Sequence, residues 1–514
     1  MKFKIVFAIM GLVLLGANEL FAQSYVEEAL IISRTRGGGS ARIQGMGGVQ
    51  NALGGDVSSA YYNPAGLGMY NRSDFSITPG YTMVDNSSTY LNNTTSATKN
   101  SLIVPNFGIA FHTNKDGSKG LWGGTFAINF NRINDFNTTF TYTGTNKDNS
   151  VIDYFLNNAK GSDTLQFENN AFNYNTPTGL AYYNYIIGPK SILGPGQSNT
   201  DYFTDVALPG TAIPGKPGEV TTAIQTETVK TSGAQNQWSF SYGANFNDKI
   251  FIGGGIGFTT LRYKSEKTYS ETFPDASVQP LTSLTLNEAL SISGSGINAT
   301  IGAIYRPLDI FQVGLSVASP TAYQISDTYV ASMTSIWKNF EYYPGKFLNN
   351  VDWKTNNVSL DYNLNTPWRI SGGGTVFIAK KGLISADREW LNDSSSKYST
   401  TTGGVSFSED NNTIKGLYTS VLNIRVGGEY RWNNYRFRAG YNRMADPYKS
   451  LQNDIDQTYT TYSAGLGYRI STFYIDLAGI FGQGTTPYSP YPGASVVSVQ
   501  KNSSSFLVTI GFPF

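Results

Sequence analysis

The sequence predicts an all-β fold: a transmembrane antiparallel β-barrel of about 14 strands with its N-terminal segment folded into the lumen as a plug. Three observations carry this. Apolar residues alternate with small or polar ones through most of the chain, the period of strands whose two faces meet different surroundings. Strand pairs are joined alternately by tight turns and by long polar loops, the layout of outer-membrane barrels. The 514 residues include 55 glycines, 34 tyrosines and 30 phenylalanines, a composition suited to strands and poor in helical runs.

At the N-terminus, Lys2 and Lys4 precede an apolar run from Ile5 to Leu15, and Leu20-Phe21-Ala22 precedes Gln23. This reads as a signal peptide over 1–22, its apolar core too short to span a bilayer. With 37 basic and 36 acidic side chains, nothing draws the chain to nucleic acid. Zero cysteines exclude disulfides, and with the single His112 they exclude a His/Cys metal site. G-x-S-x-G is absent, and the glycine runs at 253–255 and 372–374 lack the Lys-Ser/Thr of a phosphate loop. The expectation is a non-enzyme with no metal and no cofactor.

Residues 23–73 form the expected plug. Ser24 to Ser33 reads as one short helix. Gly37 to Tyr70 is too small and polar to make its own core, and glycines at 45, 47, 48, 54 and 55 permit positive φ or close backbone approach. Asp56 is placed to cap a turn through Ser58 and Ser59, and Asn63-Pro64 favours a turn.

The barrel is expected over 74–514. In Asp74 to Val84, Phe75, Ile77, Pro79, Tyr81 and Met83 fall on one face, with Asp74, Ser76, Thr78, Gly80 and Thr82 on the other. Later pairs flank short turns at 114–120, 247–249, 306–309, 380–381, 433–434 and 471–472. Between them lie longer polar stretches, notably 136–236, 329–356 and 485–497. In the last segment Phe506, Val508, Ile510, Phe512 and Phe514 alternate to the chain end.

The later strands carry charge in the inward register: Asp387, Arg425, Glu429, Arg431, Arg436, Arg438 and Asp476. A charge on the lipid face costs roughly 2–4 kcal/mol near the midplane, so these belong to the lumen, most simply as an ion-pair network bracing wall against plug. In loop 136–236, Ser150 and Asp153 read as a capping box for a helix with Ile152, Phe155 and Leu156 on one side. Thr176-Pro177 starts a second, with Leu180, Tyr183 and Ile187 on one side, ending at Gly188-Pro189. These apolar faces either pack on each other or receive a hydrophobic ligand.

Ala52-Leu-Gly-Gly-Asp56 followed by Asn63-Pro-Ala-Gly-Leu67 resembles the N-terminal hatch of the FadL/TodX family, outer-membrane channels for fatty acids and other hydrophobic compounds. The resemblance implies hatch or gating roles for Gly54, Gly55, Asp56, Asn63, Pro64 and Ala65. It also implies capture of a hydrophobic small molecule by external loops, plug rearrangement, and sideways release through a gap at a kink in the third strand. For that gap Gly123-Gly124 and Asn129–Arg132 are the positional candidates. The partners implied are outer-membrane lipid and lipopolysaccharide, the ligand, and the barrel-insertion machinery, whose C-terminal signal the last strand resembles. A docking component of an envelope complex and a receptor for haem are alternative readings.

Overall fold

The computed structural model describes residues 25–114, 120–167, 174–190, 200–275, 278–379 and 381–514. The expected signal peptide, most of the turn at 114–120, and Lys380 lie outside them.

Fourteen antiparallel strands close into a ring. They are β1 (Asp74–Tyr90), β2 (Asn93–Asn114), β3 (Leu121–Asp135, resumed as Thr138–Asn146), β4 (Ala223–Phe246), β5 (Ile250–Thr272) and β6 (Leu281–Leu308). There follow β7 (Phe311–Ala318, resumed as Ala322–Tyr343), β8 (Val358–Asn365, resumed as Arg369–Ile378) and β9 (Gly382–Asn392). The ring is completed by β10 (Ser420–Trp432), β11 (Tyr435–Met444), β12 (Tyr459–Arg469), β13 (Tyr474–Tyr488) and β14 (Val497–Pro513). β14 pairs back onto β1, from Asp74↔Pro513 to Thr89↔Ser498, so the sheet has no free edge there.

The two faces are those of a wall between oil and water. Phe75, Ile77 and Tyr81 are exposed while Asp74, Ser76 and Thr78 beneath them are buried. Across the ring Leu466, Leu477 and Phe506 are exposed while Ser463, Asp476 and Thr509 are buried. Water would reverse that choice; lipid rewards it.

The strands run further at the long-loop end than alternation indicates. β4 begins at Ala223, inside the stretch 136–236 that reads as loop, and β6 begins as early as Leu281. β7 continues to Tyr343, so most of 329–356 is a hairpin with Lys346–Lys354. Above the lipid both faces meet polar surroundings, so sequences such as Thr226-Glu-Thr-Val-Lys230 stay extended without an apolar face to mark them. Proline interrupts neighbouring strands at one level: Pro320 in β7 and Pro367 in β8, where Thr321 N–H donates to Thr366 Oγ1 instead.

Residues 25–70 lie within the ring. α1 (Tyr25–Ser33) stands in the upper lumen, and α2 (Ala41–Gln44), α3 (Ser59–Tyr62) and a 3₁₀ turn, Pro64–Met69, lie below it. Above, α4 (Val151–Ala159) and α5 (Pro177–Tyr183) cap the mouth, and α6 (Ser408–Leu417) packs beside α1 through Ile414 and Phe407.

Candidate functional site: the plug and the seam beside it

The plug is held to nearly every side of the wall through backbone. Ala41 N–H donates to Thr509 on β14, Gly47 N–H to Ser463 on β12, and Gln50 and Asn51 N–H both to the Asp387 carboxylate on β9, at 2.7 and 2.9 Å. On the opposite side Ser316 donates to Asn51 Oδ1 at 2.8 Å and Ser241 to the Ala60 carbonyl at 2.8 Å. Such contacts need small wall residues. A Cβ at Gly427 or Gly440 would run into the Met46–Gly47 backbone, at Gly314 into Asn51, and at Gly253 into Pro64. Of the two wall glycine runs, Gly253 serves this close approach, while Gly254, Gly372 and Gly374 have room for a side chain.

The hatch residues come together as one folded unit. Asp56 accepts from Ser40 Oγ at 2.6 Å and from Ser58 N–H at 3.0 Å, tying two turns of plug to each other. Asn63 donates to the Asn51 carbonyl at 2.6 Å and accepts from Ala65 N–H at 3.2 Å, capping the 3₁₀ turn that Pro64 begins. Gly54 and Gly55 take φ of +62° and +65°, and Gly55 N–H bonds the Gly66 carbonyl. Gly45, by contrast, is helical and serves only close approach, to Gly465.

The inward charges gather on two carboxylates. Glu429 meets Arg431 and Arg438 at 2.8 Å each and Arg42 of the plug at 3.7 Å, and Arg438 also reaches Asp476 at 2.7 Å. Glu389 meets Arg425 at 3.2 Å and Arg369 at 3.6 Å. Asp387 faces Arg425 across the β9–β10 ladder but spends one oxygen on plug amides. Arg436 stands apart at the turn, donating to the Asn433 and Tyr435 carbonyls. Arg42, Arg369 and Glu389 are additions to the expected set; Glu389 was readable from its two-residue spacing to Asp387. Replacing Glu429 by Gln takes the carboxylate from Arg42 and Arg431 and leaves the buried Arg438, 1% exposed, with Asp476 alone. The expected loss is about 3–5 kcal/mol, read as a lower midpoint of the heat-induced gel shift of the folded barrel.

The wall is broken beside the plug. β2 and β3 are laddered from Asn114↔Gly123 to Asn106↔Asn131, and there the pairing stops. Pro105 is the next residue of β2 and has no N–H to continue it. β1 bulges at the same level, between Thr78 and Gly80. β3 is irregular between Arg132 and Asn134 and resumes at Thr138, where Asn86 of β1 donates to Thr139's carbonyl at 2.6 Å. The Ile133 carbonyl left by β2 accepts instead from Arg36 N–H of the plug at 3.0 Å. The positional expectation at Gly123-Gly124 is corrected: both are laddered on either side, to β2 and β4. The break begins at Asn131, at the other end of the strand, because it follows Pro105 and not the glycines.

α1 is sheathed by Tyr362, Tyr398, Phe407 and Tyr418, and Tyr418 donates to the Val26 carbonyl at 2.9 Å. Glu28 accepts from Tyr362 at 2.6 Å, with Asp327 and Tyr398 nearby. Burial pushes its carboxyl up from 4.5 to about 8. The folded state therefore holds the proton more tightly, so docking of α1 is strongest below about pH 4.5 and weakens as pH rises through 8. Protection of residues 25–33 from hydrogen exchange is expected to fall over that window and to fall less steeply in Glu28→Gln.

In the loop cap the capping box forms as expected, Ser150 and Asp153 bonding each other's backbone. Glu271 of β5 closes the α4 N-terminus, accepting from Val151 N–H at 2.8 Å. Helix α5 ends at Tyr183, before Gly188, with Tyr185 at φ +59°. Phe155, Leu180 and Ile187 are buried in a closed core with Ile152 and Phe167, while Leu156 and Tyr183 remain half-buried. Of the two expectations for these faces, the described residues form the self-packed one. His112 lies inward near the turn, between Thr125 and Asn114.

The ring with an apolar exterior, a polar interior and its own leading segment inside is an outer-membrane-type β-barrel. No family model matches the chain, and no curated protein matches it. A FadL homologue from Pseudomonas aeruginosa superposes with a TM-score of 0.52 at 13% identity, over 93% of this chain and 98% of its own. The Pseudomonas putida toluene transporter TodX does so at 0.48 and 11%, over 93% and 99%. The CymD monoaromatic hydrocarbon channel gives 0.46 and 12%, over 94% and 98%. The fold is that of the FadL-type plugged barrels.

Proposed function

We propose that this protein is an outer-membrane channel for uptake of hydrophobic small molecules, which enter past the loop cap and leave sideways into the bilayer between β2 and β3. The observation that carries the reading is the seam: the ladder stops at Asn106↔Asn131, and the plug, through Arg36, stands behind the opening. A lateral exit spares an apolar molecule from crossing the aqueous lumen below the plug. Gly54, Gly55, Asp56, Asn63, Pro64 and Ala65 act in this reading as the hatch whose shift frees the path, and the paired charges hold that hatch in register. The FadL homologue and the two hydrocarbon channels sharing the architecture support transport over catalysis. The test is uptake of radiolabelled toluene and laurate into proteoliposomes, with cysteine pairs bridging residues 101–104 and 133–135. Oxidation of the pairs is expected to stop uptake and reduction to restore it. Equal rates in both states would remove the lateral route; no uptake by the native chain would remove the channel.

A further inference from the structure

Two arginines stand on the lipid face of the wall, Arg388 of β9 and Arg443 of β11. Alternation puts both outside. Asp387 and Glu389, on either side of Arg388, are buried and inward, while Ile384 and Trp390 in its own register are exposed. Arg443 shares the register of the exposed Phe437, opposite to the buried Arg438 and Met444. The ladder makes the two neighbours: Ile424 of β10 pairs with Arg388 on one side and with Arg443 on the other. Two strand spacings, about 10 Å, separate their backbones, within the combined reach of two arginine side chains.

Their row is the rim of the apolar band. From Arg443 it runs on through Thr460, Gln483 and Asn502, whereas the row beneath it is Ala386, Val426, Tyr441, Tyr462 and Phe481. The rim lies toward the long loops, which in such barrels face outward, so it stands at the head-group level of the outer leaflet. Among the described residues neither arginine has an ion pair. Arg443 donates to the Thr458 hydroxyl at 3.4 Å, and Asp456 of the same loop acts on it only from a distance. The lumen treats arginine differently: Arg42, Arg369, Arg425 and Arg438 each meet a carboxylate. Beside Arg388 the wall has no side chain at Gly372, and Gly374 with Ala386 carries that trough one row toward the midplane. Leu315 and Val313 border it on one side and Val426 on the other.

We propose that Arg388 and Arg443 clamp the phosphate of a phosphorylated, multiply acylated lipid of the outer leaflet, one of whose chains lies along the trough at Gly372 and Gly374. A phosphate between two guanidiniums accepts charge-assisted hydrogen bonds from both, and guanidinium is weakly hydrated enough to work at a membrane surface. Charge at this level of the lipid face is least costly at the rim and becomes favourable once an anionic head group meets it. The site is on the outside of the wall, away from plug, seam and lumen. It rests on the barrel's place in the membrane and not on the uptake reading.

The test is native mass spectrometry of the purified full chain in neutral detergent, with diphosphoryl lipid A or its dephosphorylated form added. Arg388→Gln/Arg443→Gln is expected to weaken binding of the diphosphoryl form about tenfold and to leave the dephosphorylated form unchanged. Lys264→Gln removes an exposed cation from the extended upper part of β5, where Lys264 pairs with Glu266, and should change neither. Unaltered binding in the double variant overturns the clamp. So does an equal loss for the dephosphorylated lipid, or an equal loss in Lys264→Gln, which would show general charge attraction. The gel heat shift reports folding. Should the double variant misfold, Arg388→Gln alone takes no ion pair from the fold and gives the same comparison with a smaller loss. No transport is read, so the outcome is separate from that of the uptake experiment.

Discussion

Excising residues 37–70 is expected to turn the barrel into an open, non-selective pore in planar bilayers. Barrels of about 8 strands are filled by their own side chains, whereas those of roughly 16 enclose water, and fourteen strands lie near the open end. Here the space is taken by the plug, not by large wall residues. The inward positions at its level are Gly253, Gly314, Gly427, Gly440, Ser241 and Ser463, which leave room for a second layer of backbone. The same logic gives a point variant. Gly440→Val puts side-chain atoms where the Gly47 backbone lies, so the plug must shift and conductance should rise. Gly372→Val, at a position whose nearest neighbours stand 3.9 and 4.0 Å from an added Cβ, should leave the closed state unchanged. Equal, low conductance in the deletion, Gly440→Val and the native chain would show that the plug does not seal the lumen.

Those glycines explain what the sequence makes legible and what it does not. Phe75 against Ser76, or Ile510 against Thr509, records the side of the wall directly, because lipid and lumen demand opposite chemistry of alternate residues. Turn chemistry did the same for Asn433-Asn434, with Asn433 at φ +51°. The upper halves of β4 and β7 lack that contrast, so alternation does not mark them as strand. The hatch was legible from Gly54 to Ala65 because its turns are locally determined. Its anchors were not, since Gln50 and Asp387 meet over a separation of 337 residues. Nor was α6, whose SEDNNTIKGL has a single buried residue, Ile414, and is placed by packing rather than by an apolar stripe. The seam fell between the two cases: Pro105 is plain in the sequence, but a missing N–H matters only once the carbonyl it faces is known.

Tying α1 to its surroundings is expected to abolish uptake under oxidising conditions. Ser33, at the end of α1, has its hydroxyl 3.2 Å from that of Ser396 in the loop between β9 and β10, and both are buried. Cysteines at these two positions suit a disulfide, whose sulfurs approach to about 2.05 Å on slightly longer bonds. The chain has no cysteine of its own, so Ser33→Cys/Ser396→Cys introduces the only thiols. Tyr25 packs edge-on to Tyr362 and Phe407, with ring centres 5.4 and 4.9 Å apart, so α1 fills the aromatic upper lumen, which lies on the proposed route from the loop cap to the seam. Its hold there is apolar packing with a few hydrogen bonds, such as Gln235 to the Ile32 carbonyl at 3.2 Å, which thermal opening can release; a disulfide would not let go. Uptake should stop on oxidation and return to the native rate on reduction, with Ser33→Cys alone unaffected by either. A locked protein that still delivers cargo at the native rate would place the path elsewhere than through the space α1 occupies.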